Sequence, residues 1–489
     1  MDKNRNSRRN FLKMAAACSA SLALNGCGSL MYSKPGKKPN VLFIYSDDQT
    51  YQAIGAFGSQ VQTPNLDRLA SNGTTFTHAY NQGAWHGAVC VASRTMLNTG
   101  RFLWNARSIE NELGQEVEGG RFWSQYMKSS GYDTYFSGKW HVKRVKPESV
   151  FDTVKNVRPG MPGTTKASYN RPVEGKPDAW SPYDKKLGGF WKGGKHWSEV
   201  LGDDGVEFLT QAKQSDNPFF MYLAFNAPHD PRQSPKEYVD KYPIEDVELP
   251  KSFAAEYPYK DDIGCSKKLR DEKLAPFPRT EYSIKVHRQE YYAIITHMDA
   301  QVGRILDALE KQGLADNTYV FFTSDHGLAV GSHGLVGKQN MYDHSMRVPL
   351  MVTGPGVEKN KRIDTPVYLQ DIMPTTLELC GVQKPEQVQF KSLPGVIRGK
   401  NFKPYDGIYG GYKDLQRMIS KDGYKLILYP KIGKARLYDL SKDPFETNDL
   451  AGNKKYSKRI KSLLKDLIEL QKQTSDPINL RDIYSELLG

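Results

Sequence analysis

A large mixed, mostly parallel β-sheet sandwiched by helices, with a small C-terminal α+β subdomain of antiparallel sheet plus helix, is the fold this α/β sequence predicts. Three observations carry it. Four short apolar runs, rich in aromatic and β-branched residues and nearly continuous in hydrophobicity, have the character of strands covered on both faces. Between them lie segments with helical spacing and helical start and stop residues. Beyond about residue 404 the alternation gives way to short strands and one basic amphipathic helix.

The first run, Asn40 to Ser46, ends in Asp47-Asp48. Thr63-Pro64 through Asn72-Gly73 reads as a helix, with Thr as N-cap, Pro at the first position and Gly past the end. Tyr132 to Ser137 is the second run and ends in Gly138-Lys139-Trp140-His141. Residues 156–204 form an irregular insertion rich in Gly and Pro, carrying Trp180, Phe190, Trp191, Lys192, Lys195, His196 and Trp197 without a period, as in a loop or lid near a site. Phe219 to Phe225 runs into Pro228-His229, and Tyr319 to Ser324 into Asp325-His326-Gly327. Glu290 to Gln312 repeats Ile294, Ile295, Met298, Val302, Ile305, Leu306 and Leu309 at helical spacing, a core stripe. Residues 381–404 are expected as a linker and 405–489 as the subdomain, with strands Gly423–Leu428 and Ala435–Leu440. Its helix puts Ile460, Leu463, Leu464, Leu467 and Ile468 on one face and Lys454, Lys455, Lys458, Lys461 and Lys465 largely elsewhere.

Lys+Arg 68 against Asp+Glu 55 gives the 489-residue chain a net charge of +13, and 38% hydrophobic residues are enough to bury a sizeable core. Five cysteines without a C-x-x-C pair exclude a disulfide scaffold and a structural zinc ribbon. The basic balance alone suits a nucleic acid, an anionic membrane or an acidic substrate. Residues 1–26 read as an export signal: basic Lys3, Arg5, Arg8 and Arg9 precede an apolar run from Met14 to Leu24 that is short of the about 20 residues a membrane span needs. Ser7-Arg8-Arg9-Asn10-Phe11-Leu12-Lys13 resembles a twin-arginine signal. Leu24-Asn25-Gly26-Cys27 resembles a lipobox, which would lipidate Cys27, although Asn25 departs from the small apolar residue usual there. Residues 27–39 would link it to the catalytic domain, 40–380. The expectation is an exported protein, periplasmic or anchored to the bacterial envelope through lipid.

Ligands of parallel sheets sit outside the carboxyl ends of the strands, so the four runs deliver acids, histidines and a lysine to one edge. Asp47, Asp48 and Asp325 repel one another unless a cation lies between them. Carboxylate oxygens favour a hard divalent ion, Ca²⁺ with Mg²⁺ or Mn²⁺ as alternatives. Cys90-Val91-Ala92-Ser93-Arg94, followed by Thr99-Gly100, has a Gly-rich approach and begins a probable helix whose N-terminus favours an anion.

These residues resemble the formylglycine-dependent sulfatases of the alkaline phosphatase-like superfamily. Their C-x-P/A-S-R signature is matched by Cys90, Ala92, Ser93 and Arg94, and the T-G that follows by Thr99 and Gly100. The resemblance spans Asn40 to Glu446 and implies that a maturation enzyme oxidises Cys90 to formylglycine. One hydroxyl of the hydrated aldehyde attacks sulfur and displaces the alcohol; the other expels sulfate. Asp47, Asp48, Asp325 and His326, with modified Cys90, would then ligate Ca²⁺. Arg94 and Lys139 would hold the hydrate, His141 would take its proton, and His229 with Lys338 would bind the sulfate and assist the leaving oxygen. Trp85, His86, Trp191, Lys192, His196 and His344 are candidates for touching a sugar. At Asp343 many relatives carry Glu; a structural pairing with Arg347 is expected there.

The function implied is hydrolysis of a sulfated carbohydrate, with no nucleic acid partner. Two alternatives stay open: a phosphonate monoester or phosphodiester hydrolase of the same superfamily, and a silent carbohydrate-binding relative. A two-zinc site has no evident ligands.

Overall fold

The computed structural model describes residues 37–400 and 403–489; the segments read as an export signal and a twin-arginine motif, Cys27 and all but the end of the expected 27–39 linker lie outside them. Fourteen strands are described: β1 Asn40–Ser46, β2 Thr74–Tyr80, β3 Gly83–Ala84, β4 Asp133–Lys139, β5 Thr153–Arg158, β6 Phe219–Ala224, β7 Thr318–Ser324, β8 Arg347–Thr353, β9 Lys361–Ile363, β10 Val367–Tyr368, β11 Ile408–Tyr412, β12 Gln416–Lys421, β13 Tyr424–Tyr429 and β14 Lys434–Asp439. The main sheet runs β10-β2-β8-β7-β1-β6-β4-β5, with β9 also paired to β2. All its pairings are parallel except those of β8 with β7 and β2. It is the mixed, mostly parallel sheet expected.

Successive side chains of a strand point to opposite faces, and β1 uses both. Val41, Phe43 and Tyr45 join a core with Leu97, Trp123, Met373 and Leu377 on one side. Leu42 and Ile44 join Leu66, Leu209, Ile294, Met298 and Val302 on the other. Helices therefore cover both faces, which is why the runs lack a polar alternation.

Register decides the function of this architecture. Ser46 pairs with Ser324, Tyr45 with Ala224, and Gly138 with Ala224, so β4, β6, β1 and β7 end at one level. The residues that follow emerge side by side. β4 extends two residues past the expected Ser137, because Gly138 and Lys139 pair with Val157 and Arg158 of β5.

The first helix spans Pro64–Ser71, and the Thr63 hydroxyl donates to Asp67 (3.0 Å) and accepts from Gly55 N (2.8 Å) instead of capping an amide of its own helix. The long helix starts at Glu281, nine residues before the expected Glu290, because the Thr280 side chain caps it by accepting from Ser283 N. Its stripe is buried, as expected.

The C-terminal sheet, β14-β13-β12-β11-β3, is larger than the two strands expected. Its last strand, β3, comes from the other end of the sequence and pairs with β11. Gly83 has φ +105° there, and a Cβ on it would lie 1.9 Å from the Gly411 carbonyl oxygen, so only glycine allows this join. Ile460, Leu463, Leu464, Leu467 and Ile468 of the Ser457–Thr474 helix pack on this sheet, while Lys454, Lys455, Lys458 and Lys465 stay exposed. The segment read as a linker, 381–404, is not free: Val388, Phe390, Leu393, Val396 and Ile397 are buried, and Gln389 N donates to Gly100 O.

Candidate active site

Cys90 occupies the first turn of the Val89–Thr99 helix, where unpaired amides point outward. Its Sγ lies 3.3 Å from His326 Nε2, 3.5 Å from Lys338 Nζ and 4.0 Å from Asp48 Oδ1. One turn on, Arg94 is fully buried. Its Nε donates to Asp325 Oδ2 (3.1 Å), its Nη1 to the Lys139 carbonyl (2.7 Å), and its guanidinium stacks 4.6 Å above the Tyr45 ring. Lys139 pairs with Asp47. Lys338 holds both oxygens of Asp48, at 2.8 and 2.7 Å. Every catalytic and metal-ligand candidate thus falls at one place, the shared carboxyl end of β4, β6, β1 and β7.

Asp48 has φ 71°, an uncommon conformation for a residue with a side chain. Three bonds hold it: its amide donates to Asp325 Oδ1 (3.1 Å), and its carbonyl accepts from the Tyr291 hydroxyl (2.7 Å), which itself accepts from Thr50 N (2.9 Å). His141 also has positive φ, 54°, and Gly160 of the insertion lies against its ring.

Four residues, Asp47, Asp48, Cys90 and His326, each offer a ligand atom within 4.8 Å of the others. Asp325 lies beside them, 3.5 Å from His326 Nε2. The carboxylates of Asp47, Asp48 and Asp325 fit a hard divalent ion, whereas the Cys90 sulfur is a soft donor and suits one only if oxygen replaces it. Asp47 Oδ1 is buried with no hydrogen-bond partner. His326 donates from Nδ1 to the Gly327 carbonyl (3.0 Å), which leaves Nε2 facing the carboxylates. Burial, then the Asp325 charge, push the Asp47 carboxyl well above its usual range. Burial opposes charge on His326, but Asp325 and Asp48 lift it to about 9. Without a metal, protons supply the positive charge that a cation would bring. Burial also pushes the Cys90 thiol up, yet Lys139, Lys338 and His326 outweigh it and hold the thiol well below its ordinary value.

His229 donates from Nδ1 to the Asp230 carbonyl (2.7 Å), so its Nε2 faces Asp48 Oδ2 at 3.8 Å. Asp230 is held by Arg270 (2.9 Å), an element the sequence reading does not identify. Tyr45, Tyr291 and Gly160 are likewise invisible there, because nothing local marks a tyrosine or glycine 19 to 243 residues away as a support.

Several sugar-binding candidates are corrected. Trp191 and His196 are buried in a cluster with Phe190 and His297. His196 caps the Trp197–Ala212 helix by accepting from Ser198 N and donates to the Gln233 carbonyl. His344 lies away from the Cys90 cluster, bonded to Ser345 (2.9 Å) and His333 (3.3 Å), and lines a separate cavity. Trp85 packs in the core beneath the C-terminal sheet. Aromatic area finds a core before it finds a ligand. Lys192 is exposed, and its backbone alone is engaged, its amide by the Gly189 carbonyl and its carbonyl by Trp197 Nε1. His86 remains partly exposed, paired with Glu110, which also binds Lys143 two residues past His141. Asp343 does pair with Arg347 (3.3 Å), and more closely with the buried Lys425.

With this geometry in hand, similarity to known proteins is informative. The profile of the Sulfatase family matches residues 39–382, and that of the N-sulphoglucosamine sulphohydrolase C-terminal region matches 331–473. A sulfatase of Formosa agariphila is 30% identical over 87% of this chain and 85% of its own. An N-acetylglucosamine-6-O-sulfatase of Bacteroides thetaiotaomicron is 26% identical over 94% and 90%. Among solved structures, one in complex with its substrate D-glucosamine-2-N,6-O-disulfate has a TM-score of 0.69 at 24% identity, covering 90% of this chain and 99% of that one. The phosphonate monoester hydrolase of Agrobacterium radiobacter has a TM-score of 0.69 at 21% identity, covering 89% and 96%. The chain belongs to the sulfatase family, and it is a sulfuric ester hydrolase.

Proposed function

We propose that this enzyme hydrolyses a sulfate monoester of a sulfated carbohydrate, with Cys90 converted to formylglycine by a maturation enzyme and a divalent cation, Ca²⁺ first, held by Asp47, Asp48, Asp325 and His326. The convergence of His326, Lys338 and Asp48 on Cys90 Sγ carries this reading. Bound there, the cation would supply Lewis acidity at the sulfate oxygens and the nucleophile. The formyl group would supply, as its hydrate, two hydroxyls on one carbon, one to take the sulfuryl group and one to expel it.

The chain's own residues account for the remaining demands. Arg94 and Lys139 neutralise Asp325 and Asp47 and fix them behind the reacting atom. His141, whose ring is largely buried and held neutral chiefly by burial, is placed to accept the hydrate's proton. Lys338 and His229 flank the position of the sulfate and stabilise the charge that develops on the leaving oxygen. Burial of the cluster, in which His141 alone is partly exposed, excludes water and strengthens each of these interactions.

Carbohydrate as the substrate class is supported by the relatives named for N-acetylglucosamine-6-O-sulfate and ulvan, and by the expected export signal, which would put the enzyme in the periplasm or on a lipid anchor. Sulfate release from a panel of sulfated saccharides tests it, with mass spectrometry of the Cys90 peptide. Release from none of them, or an unmodified thiol in active enzyme, would refute the proposal. The phosphonate hydrolase neighbour keeps a second reading in play. Parallel rates on aryl sulfate and aryl phosphonate esters separate the two, and a faster phosphonate reaction would replace sulfate as substrate.

A further inference from the structure

A cavity of 390 Å³, the size of a small-molecule site, lies beside the metal-bearing loops. None of Cys90, Arg94, Lys139, His141, His229 or Lys338 lines it. Its floor is made by Thr50 and Tyr51, just past Asp48, and by Leu328, two residues past His326. Tyr291 joins them, and its hydroxyl binds both Asp48 and Thr50. Cavity and catalytic cluster are two sides of the same loops.

The lining is neither an apolar void nor a plain polar cleft. Tyr51, Tyr292 and Phe445 line it, each with a cation over one ring face, Arg347 at 3.8 Å, Arg288 at 5.1 Å and Lys251 respectively, and Lys251 and Arg288 line it themselves. Neither cation has a carboxylate within ion-pair distance among the described residues. Arg288 donates to the Tyr292 hydroxyl and leaves its buried Nε without a partner. Lys251 Nζ stands 4.7 Å above the Phe445 ring. Of the acids, Asp343 and Glu446 are both paired with the buried Lys425, and Asp343 with Arg347 as well. Only Glu248, exposed at the rim, has no ion pair. Two unmatched cations therefore face one unmatched carboxylate. Aromatic faces with free cationic donors suit a sugar ring that carries an anionic group.

We propose that this cavity is a second saccharide site, which takes an anionic sugar unit, sulfated or carboxylated, of the polymer whose sulfate ester reaches Cys90. The proposal rests on the reading of the substrate as a sulfated carbohydrate. Its consequence is that polymers bind more tightly than single sugars while the chemical step is unchanged.

The test compares the mature, calcium-loaded enzyme with a Lys251→Ala/Arg288→Ala variant on an aryl sulfate, a sulfated monosaccharide and a sulfated oligosaccharide. Loss of two charge-assisted contacts should raise the oligosaccharide KM about tenfold or more, with kcat unchanged and the two small substrates unaffected. Unchanged aryl sulfate turnover also shows that the variant folds. A binding titration with the sulfated oligosaccharide, on Cys90→Ala protein with and without the double substitution, should show the same loss. Equal affinities in that titration would overturn the second site. If neither saccharide released sulfate while the aryl ester was cleaved, the carbohydrate reading would fall, and the titration would still decide the cavity.

Discussion

Lys338 Nζ binds both carboxylate oxygens of Asp48, at 2.7 and 2.8 Å, across 290 residues of sequence, and lies 3.5 Å from Cys90 Sγ. Burial works against charge on this lysine, but Asp48, Cys90 and Asp271 hold it well above its ordinary value, so it is a fixed cation. One side chain thus balances a metal-ligand candidate and faces Cys90.

Replacing it should expose that double role. Lys338→Met leaves buried Asp48 with His326, 3.2 Å away, as its remaining counter-charge, a loss on the order of 3 kcal/mol in the absence of metal. Added Ca²⁺ should restore part of it, because binding to the folded state alone contributes about 2.7 kcal/mol at a hundredfold excess over Kd. Activity should not recover with it, and kcat on an aryl sulfate should stay about 10²-fold down. Denaturant unfolding with and without calcium, beside kinetics, checks both parts.

Cys90→Ala should remove turnover and leave the fold intact. The side chain is small and faces charged groups, so its loss opens little apolar volume. Sulfate release below detection, with a thermal transition like that of the parent, is the expected outcome. A variant that still cleaved sulfate esters would show that this residue is not the nucleophile's source.

Gly160 of the insertion shapes the site without contributing a functional group. A Cβ built on it would lie 2.3 Å from His141 Nε2 and 2.5 Å from Cε1, and its backbone is in an ordinary conformation for any residue. Gly160→Ala should therefore push the imidazole aside with little cost to folding. We expect kcat to fall about 10²-fold, as misplacement of an acid-base group does, with KM and Tm nearly unchanged. Steady-state kinetics and calorimetry decide it.

Far from the site, Asp371 is fully buried and accepts from Tyr368 N, Lys391 N and the Tyr405 hydroxyl. Burial raises it to about 7, despite those bonds. A carboxyl raised on folding contributes stability that is complete below its unfolded value, near 3.8, and lost as pH rises through about 7. Relative to Asp371→Asn, the wild type should lose on the order of 4 kcal/mol between those limits. Urea unfolding of both proteins from pH 4 to 8 gives the difference; a flat difference would mean that Asp371 ionises freely.

How much of this was legible in the chain divides along physical lines. The four central strands, the stripe from Ile294 to Leu309 and the face from Ile460 to Ile468 could be read because periodicity and burial on both sides leave a local signature. The site could be read as well: the acids, lysine and histidines follow strands directly, and Cys90 to Gly100 lie on one helix and its cap. A chemical motif confined to a few residues needs no fold to be seen. Short edge strands such as β9 and β10 carry too few residues for a pattern, and β3 takes its identity only from Gly411 and Tyr412 opposite it.

By itself, then, the sequence determined which residues stand at strand ends and the family whose motif they match. Tertiary structure alone decided the supports and the fates. It set Tyr291 beneath Asp48, Lys425 between Asp343 and Glu446, and Arg270 on Asp230. It also sent Trp191 and His196 into a core instead of a sugar pocket. The reason is that local conformation follows from neighbours in the chain, whereas burial and charge compensation depend on partners brought together only by the completed register of the sheet.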